Sequence, residues 1–466
     1  MKNMRKMTNV DLVVKGGVVI TMDEQRNIYD PGFIAINKGK IVEVGMGNGP
    51  FFQSSREIDA KGSVVLPGLV NSHDHLDQSI YRGCSDERPG SRNRLLTMAK
   101  SLTYDRAKVA ASLSLMELVR FGVTTTQENH WTHYHADSTD GICDAIANSG
   151  MRGIVSRGMS DAELYNPPDF IETIEDVLAD LDRLEKKYES EYITITGEPT
   201  TVVRCKPDTI VAIRNWARER GKMWHIHLAQ TSDELSDAMK QFGMGSVQWA
   251  DHLGVLGPET LAIHCSGLLD EEVDILGDKK VRIGHCPVTQ MRGGNRVPPI
   301  WELENKGAIV GIGTDGSGTN NGQNPWEAMK MAIYMQRVQS GDRNLGNAEL
   351  ALEMMTIKAA RVLGIENKVG SLEDGKLADL AIFSMDQLQL LPGAMLVNNL
   401  VYSSTNNLAE TVIVGGQIIL DKGRSTKFDE MEIKLKIVEA QRELLQASEM
   451  ADTLRISRTW PINSLP

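Results

Sequence analysis

Cysteine, basic charge and long apolar segments are all scarce in this chain of 466 residues. Its five cysteines are odd in number and have no close paired spacing, which argues for a reducing compartment and against a disulfide framework or a cysteine-type zinc site. No run approaches the roughly 18 apolar residues that cross a bilayer. Since 62 acidic residues outnumber 50 basic ones, the net charge of -12 repels nucleic-acid phosphates and anionic membranes. We therefore expect a cytoplasmic protein that binds neither nucleic acid nor membrane.

The composition is that of an ordinary globular protein, with 41% hydrophobic and 24% charged residues. This length accommodates one large domain and a smaller one. Strand-like runs punctuated by glycine occupy both ends of the chain and flank a middle region of different rhythm. We predict a small β-sandwich built from both chain ends. The predicted units are residues 1–66 and 367–425 for the sandwich, 67–366 for the middle domain, and 426–466 for a C-terminal helix and tail.

In the middle region, short apolar runs alternate with helical stretches, which is typical of a parallel sheet built from βα units. Eight such units fit a (β/α)8 TIM barrel, an α/β fold of about 250 residues plus insertions. The eight runs are Val64 to Asn71, Val123 to Gln127, Gly153 to Arg157, Tyr192 to Gly197, Met223 to Leu228, Thr260 to His264, Lys280 to His285 and Ala308 to Gly313.

Beyond the barrel, three local patterns predict further elements. Residues 348–363 read as one helix, and Gly415-Gly416 reads as a hairpin turn between two strands. Residues 432–450 carry apolar residues at helical spacing. This last helix packs either on its own subunit or in an oligomer contact, and we expect a homo-oligomer, a dimer or a tetramer.

The most informative segment runs an apolar strand, Leu66 to Ser72, into His73-Asp74-His75. Side chains two apart on a strand point the same way, so these two imidazoles converge at the strand's carboxyl end. That is where barrel enzymes keep their active sites. The pattern predicts a metal site.

Further candidate ligands end the later strands. His225 and His227 close the fifth run, His264 the sixth and His285 the seventh, and Asp315 follows the eighth. Imidazoles with one carboxylate are the donors that Zn2+ or Fe2+ accepts. Spacing alone allows either His225 or His227 as a ligand, because both point to the same face of the strand.

These residues carry a resemblance to a known family. The chain resembles the amidohydrolase superfamily, in the branch that holds cytosine and adenosine-type deaminases and the triazine hydrolases. The similar stretches are Leu66-Pro67-Gly68, His73-Asp74-His75, Trp224 to Gln230, Leu261 to Cys265, Gly284 to Pro287, Gly311 to Gly316 and Val369 to Leu380.

The resemblance implies a site with one divalent ion, Zn2+ or Fe2+. Its metal ligands would be His73, His75, His227 and Asp315. Many amidohydrolases bridge two metals with a carboxylated lysine at the end of the fourth strand, but this chain has no lysine there. The resemblance further implies that Asp315 accepts a proton from the attacking water and that His264 steers the attack or stabilises the developing charge.

One position departs from the branch. Three residues after the fifth-strand histidine, where these enzymes usually carry a glutamate that protonates the substrate ring, this chain has Gln230. An amide forms hydrogen bonds but shuttles no proton. Either another acid acts, with Glu198 and Glu128 as candidates at strand ends, or the substrate needs no ring protonation.

The remaining predicted substrate contacts lie on loops at the barrel's carboxyl face, where loops commonly cover substrate. Gln78 lies on the first-strand loop, and Glu128 and His130 lie on the histidine-rich segment after the second strand. His285 either touches substrate or orients a neighbour.

Taken with the resemblance, the sequence predicts a metal-dependent amidohydrolase that deaminates a small nitrogen heterocycle, such as an aminopurine, aminopyrimidine, pterin or triazine. One alternative is hydrolytic dechlorination of a triazine-like ring at the same site. Another is a catalytically silent binding scaffold, against which the complete set of ligand-type residues speaks.

Overall fold

A computed structural model describes residues 7–49, 51–84, 91–163, 166–403 and 406–451. Its strands are β1 (Thr8–Ile20), β2 (Ile28–Asn37), β3 (Lys40–Met46), β4 (Phe52–Asp59), β5 (Ser63–Pro67), β6 (Leu69–Asp74), β7 (Val123–His130), β8 (Arg152–Met159), β9 (Ile193–Pro199), β10 (Trp224–Leu228), β11 (Thr260–His264), β12 (Arg282–His285), β13 (Ile309–Ile312), β14 (Leu380–Ser384), β15 (Ala409–Val414), β16 (Gln417–Asp421) and β17 (Arg424–Ser425). Its α-helices are α1 (Ser91–Ala99), α2 (Tyr104–Arg120), α3 (Ser138–Ser149), α4 (Ile174–Tyr188), α5 (Pro207–Glu219), α6 (Ser232–Phe242), α7 (Ser246–His252), α8 (Asp270–Asp278), α9 (Pro287–Arg292), α10 (Ile300–Lys306), α11 (Pro325–Ser340), α12 (Ala348–Met354), α13 (Ile357–Val362), α14 (Leu396–Asn398) and α15 (Glu430–Ala447). Short 3₁₀ segments lie at Leu76–Tyr81, Pro168–Phe170 and Leu388–Leu390, and a π-helical turn lies at Asn399–Ser403.

Strands from both chain ends share one mixed sheet. Within the described residues its order is β17-β16-β15-β14-β5-β1-β2-β3, and β4 pairs with β1. The ends join where β14 lies antiparallel to both β5 and β15. The predicted turn at Gly415-Gly416 links β15 to β16, and both glycines have the positive φ that such a turn requires. A common sheet built from both ends is therefore observed, whereas its closure into a two-layered sandwich stays a prediction.

The middle region forms two parallel four-stranded sheets in the described residues, β6-β7-β8-β9 and β10-β11-β12-β13. The two sheets contact each other at both edges. Thr201, just after β9, forms a parallel bridge with His227 of β10, and the amide of Asp315, just after β13, donates to the carbonyl of His73 in β6 at 3.1 Å. The eight strands and their intervening helices make a TIM-barrel-like α/β fold. A continuous ladder around all eight strands is not seen in the described part of the chain, so full closure stays a prediction.

The sequence predicted a single first barrel strand from Val64 to Asn71. In the structure this segment forms two strands, so that prediction was wrong. Gly68 separates β5, in the mixed sheet, from β6, in the parallel sheet. A Cβ atom at Gly68 would lie 2.2 Å from the side chain of Thr124, so only glycine lets the chain pass there.

The helix predicted over 348–363 is likewise two helices, α12 and α13. The break frees the carbonyl of Met355 to accept a hydrogen bond from the Val70 amide of β6 at 2.9 Å. Pairing with the sheet therefore replaces one turn of helix.

The C-terminal helix α15 packs on its own chain. Gln441 donates to the Ile80 carbonyl at 2.6 Å, and Arg106 pairs with Glu443 at 3.3 Å. Of the predicted tail, residues 452–466 lie outside the described residues. Every helix in the part of the chain that the structure describes is too short or too polar to cross a lipid bilayer.

Candidate metal centre and cavity

Five buried side chains meet at the carboxyl ends of β6, β10, β11 and β13. The imidazole centroids of His73 and His75 lie 4.8 Å apart, and that of His73 lies 5.0 Å from His227 and 5.7 Å from His264. Asp315 Oδ1 lies 3.6 Å from His75 Nε2 and 3.9 Å from His73 Nε2. Two of the donor groups whose atoms all lie within 4.8 Å of one another are His73–His75–Asp315 and His73–His227–His264. The strand ends thus bring all four predicted ligands and His264 to one place.

Hydrogen bonds from β7 orient the first two imidazoles. His73 Nδ1 donates to Gln127 Oε1 at 3.0 Å, and His75 Nδ1 donates to the Asn129 carbonyl at 2.6 Å. Gln127 is itself held, since its amide donates to Ser156 Oγ and to the Glu128 carbonyl. Both imidazoles therefore carry their proton on Nδ1, which leaves each Nε2 lone pair for the centre. Nε2 of His73 has no other hydrogen-bond partner among the described residues.

The two histidines of β10 have different surroundings. His227 lines the cavity described below, and its Nδ1 lies 2.7 Å from Glu198 Oε1, although no hydrogen bond of acceptable angle forms between these two described groups. His225 lies deeper and contacts the hydroxyl of Ser156 through Nδ1. His227 rather than His225 shares the donor groups with His73.

Burial keeps the imidazoles of His73, His227 and His264 neutral. It lowers the pKa of His73 well below the usual range and lowers the pKa of both His227 and His264 to about 3. A neutral imidazole is the form that binds a metal ion. Both ring nitrogens of His264 lack partners in the described structure, and the residue adopts φ +78° at the end of β11. Backbone strain of this kind is commonly found at functional sites.

Asp315 is ionised at the same centre. Burial raises the pKa of its carboxyl, but His75, His264 and the Gly316 amide more than offset this effect, so the pKa lies below the usual value. The Gly316 amide donates to Asp315 Oδ1 at 2.7 Å. Cys286 lies in donor range of His264 and Asp315, yet burial raises the pKa of its thiol well above the usual value, so it remains protonated.

A cavity of about 610 Å³ opens over the centre. Of the predicted residues, it is lined by His75, Gln78, His227, Gln230 and Asp315. Gln78 is 4% exposed, and its Oε1 has no partner in the described structure. Gly316 makes room for it, because a Cβ there would lie 2.4 Å from Gln78 Oε1.

Gln230 is positioned by its backbone. Both oxygens of Glu234 are engaged, since they accept the amides of Ala229 at 3.0 Å and Gln230 at 2.9 Å. Burial raises the pKa of Glu234, and these amides lower it in part. These two hydrogen bonds fix the backbone of the turn after β10, at which Gln230 lines the cavity.

Three predicted contacts lie away from the lining that the structure describes. His285 is fully buried at the end of β12, with His264 on the adjacent strand. Glu128 and His130 lie on β7, two residues apart, on the face opposite to Gln127. Their role as substrate contacts stays a prediction.

Sequence reasoning overlooked several residues of the site. Gln127 and the Asn129 carbonyl are hydrogen-bond partners of the metal-type histidines, and Arg204 lines the cavity. Trp131 also lines the cavity, and it lies in the histidine-rich segment after the second strand that the sequence proposed for substrate contact. Gln127 could have been found from the sequence, because it is a polar residue near the carboxyl end of a buried strand, where the side chains of the site converge. No comparable pattern marks Arg204, which lies in a loop after β9.

Comparisons with known proteins identify a family whose members are similar to this chain over most of its length. The sequence profile described as "Amidohydrolase family" matches residues 64–419. A 5-methylthioadenosine/S-adenosylhomocysteine deaminase of Symbiobacterium thermophilum is 30% identical over 441 residues, covering 93% of this chain and 99% of that protein.

Two solved structures share the fold. An adenosine deaminase from Xanthomonas campestris with bound zinc has a TM-score of 0.88 at 21% identity, covering 94% of this chain and 100% of the other. The atrazine chlorohydrolase TrzN from Arthrobacter aurescens TC1, complexed with zinc, has a TM-score of 0.87 at 24% identity, covering 92% and 100%.

Proposed function

Because this chain belongs to the amidohydrolase family and is a hydrolase of carbon-nitrogen bonds, we propose that it deaminates an adenine nucleoside or a similar aminopurine. The observation that carries the proposal is the convergence of three imidazoles and Asp315 beneath a cavity large enough for such a molecule. The relative at 30% identity is named as a deaminase of adenine nucleosides. The likeness to the chlorohydrolase extends only to the fold, so we favour deamination over dechlorination.

His73, His75, His227 and Asp315 would hold the metal ion. The fit rests on orphaned donor atoms: Nε2 of His73 is buried without a partner among the described residues, and the neutral imidazoles offer lone pairs. A divalent ion bound there supplies Lewis acidity that lowers the pKa of water toward about 7. We propose Zn2+ as the ion, because imidazoles and a carboxylate with a position left for water are its usual ligands at catalytic sites.

Asp315 and His264 would carry out the proton transfer and the stabilisation of charge in the reaction. Asp315 lines the cavity as a carboxylate, so it can accept a proton from the attacking water and return it to the departing amine. His264 has two ring nitrogens without partners in the described structure, so one can donate to the substrate atom where negative charge develops. Burial raises the pKa of Glu198 to about 8, but this side chain does not line the described cavity and is better placed to orient His227.

Gln230 would bind the ring rather than protonate it. Its amide can donate to a ring nitrogen or accept from a ring N-H. Asp233, Glu234 and Asp237 also line the cavity, where Arg204 is the basic residue. The carboxylates of Asp233 and Asp237 would repel a phosphate group bound close to them, so we propose a nucleoside or free base rather than a nucleotide.

The test is ammonia release by purified, zinc-loaded protein from adenosine, 5-methylthioadenosine, S-adenosylhomocysteine, AMP, aminopyrimidines and aminotriazines. We expect turnover of at least one nucleoside or base, little turnover of AMP, and a large loss in His264→Asn with zinc retained. Chloride release from atrazine without deamination of any purine would contradict the proposal and favour the dechlorinase alternative.

A further inference from the structure

A second group of metal-type side chains lies apart from the centre described above. Asp77 is on the 3₁₀ turn after β6, and Glu128 and His130 are on β7. Their exposed fractions are 3%, 0% and 0%, and one donor atom of each lies within 4.8 Å of the others. Glu128 and His130 occupy the face of β7 opposite to Gln127, which orients His73. The two groups are therefore separated by the strand.

The hydrogen bonds of His130 determine its tautomer. Ser138 Oγ donates its proton to the His135 carbonyl at 2.8 Å, so it can only accept from His130 Nε2, which also lies at 2.8 Å. The imidazole therefore carries its proton on Nε2 and presents a lone pair on Nδ1. This Nδ1 lies 3.9 Å from Asp77 Oδ1, too far for a hydrogen bond, and has no other partner among the described residues.

Two carboxylate oxygens face that lone pair. Glu128 Oε2 accepts the Leu76 amide at 2.6 Å, while Glu128 Oε1 and Asp77 Oδ1 have no hydrogen-bond partner in the described structure. Burial raises the pKa of Glu128, and the charge of Asp77 raises it further. No lysine or arginine within the described ranges forms an ion pair with either carboxyl. Three acceptor atoms within 4.8 Å of one another need either a shared proton or a metal cation between them.

We propose that Asp77, Glu128 and His130 form a second cation site, which binds a divalent transition-metal ion of the Zn2+ or Mn2+ class. Two carboxylates and one imidazole match the donor preference of these ions, and two negative charges balance a divalent cation. The ion ties the turn that carries Asp77 to the end of β7. Because His75 precedes and Gln78 follows on that turn, the second ion stabilises the region that supports the first centre.

The experiment counts metal per chain. The full-length protein is stripped with a chelator, reloaded with Zn2+, desalted and analysed for zinc by mass spectrometry. We expect two equivalents in the wild type and one in Glu128→Gln or His130→Asn. His135→Asn is the matched control, since this half-buried histidine in the loop after β7 contacts the Lys100 carbonyl and should leave both equivalents in place. His227→Asn should lose the other equivalent, which separates this proposal from the proposed function.

A second measurement covers variants that fold poorly. Added Zn2+ should raise the thermal midpoint of His227→Asn, which retains only the second site, but not that of the His130→Asn/His227→Asn double variant. One equivalent in the reloaded wild type would overturn the proposal and indicate that a proton is shared by the three groups. Two equivalents in both Glu128→Gln and His130→Asn would place the second ion elsewhere and also overturn it.

Discussion

Replacing Gln127 tests whether β7 controls the metal centre through His73. Gln127 Oε1 accepts the Nδ1 proton of His73 at 3.0 Å, and its amide donates to Ser156 Oγ and the Glu128 carbonyl. In Gln127→Leu the imidazole loses the partner that fixes its tautomer and its orientation. Partners of this kind are typically worth 10-fold to 100-fold in metal affinity, or about 1.4 to 2.8 kcal/mol.

The assay is competition for Zn2+ with a chromophoric chelator, together with unfolding by urea. Loss of buried hydrogen bonds should also lower the free energy of unfolding by about 1 to 3 kcal/mol. Gln336→Leu is the matched control, because this buried glutamine of α11 donates to the Pro298 carbonyl at 2.8 Å and so joins α11 to the residues before α10. It should lose stability but keep the zinc affinity of the wild type. Unchanged zinc affinity in Gln127→Leu, with a stability loss like that of Gln336→Leu, would refute the reasoning.

Four further predictions concern the same centre. His227→Ala should remove most of the metal bound at the first site and His225→Ala should not, as zinc analysis would show; equal losses would place His225 among the ligands. His264→Asn should keep zinc and lower kcat by about 100-fold or more, the size expected for a lost proton-transfer group, whereas metal loss would make it a ligand. Gln230→Glu should lower activity on the native substrate, because an ionised carboxylate accepts but cannot donate a hydrogen bond, and should raise activity on aminotriazines or aminopyrimidines, whose ring nitrogen a protonated glutamic acid can protonate; higher activity on the native substrate would contradict this assignment. Metal-free protein should lose stability as pH falls below 6.5, because burial lowers the pKa of His225 and His285 to about 3, so the unfolded chain binds protons that the folded chain does not; a urea midpoint that stays constant from pH 7 to pH 5 would count against it.

The local sequence was sufficient wherever a feature depends on neighbouring residues. The spacing of His73 and His75 on a strand, the glycine pair at the hairpin turn and the alternation of strands with helices are all short-range patterns. The family resemblance rests on the same motifs, and the profile match confirms it. Fold class and chemistry were accessible for this reason.

The sequence alone did not place the breaks in β5–β6 and α12–α13. Both depend on residues far away in the sequence. The side chain of Thr124 leaves no room for a Cβ atom at position 68, and the Val70 amide donates a hydrogen bond to the Met355 carbonyl. The apolar pattern continues through each break, so periodicity has no signal there.

What the sequence by itself determined is the family, the α/β architecture and the set of residues that can bind metal at strand ends. Only the tertiary structure decided which atoms of those residues face the centre. Gln127 meets His73 across 54 positions of sequence, and Ser138 determines the tautomer of His130. The same contacts distinguish Gln127, which orients a metal-type histidine, from Glu128 and His130, which face away from it. The physical reason is that a hydrogen bond depends on the distance and direction between two atoms, and strand register sets both.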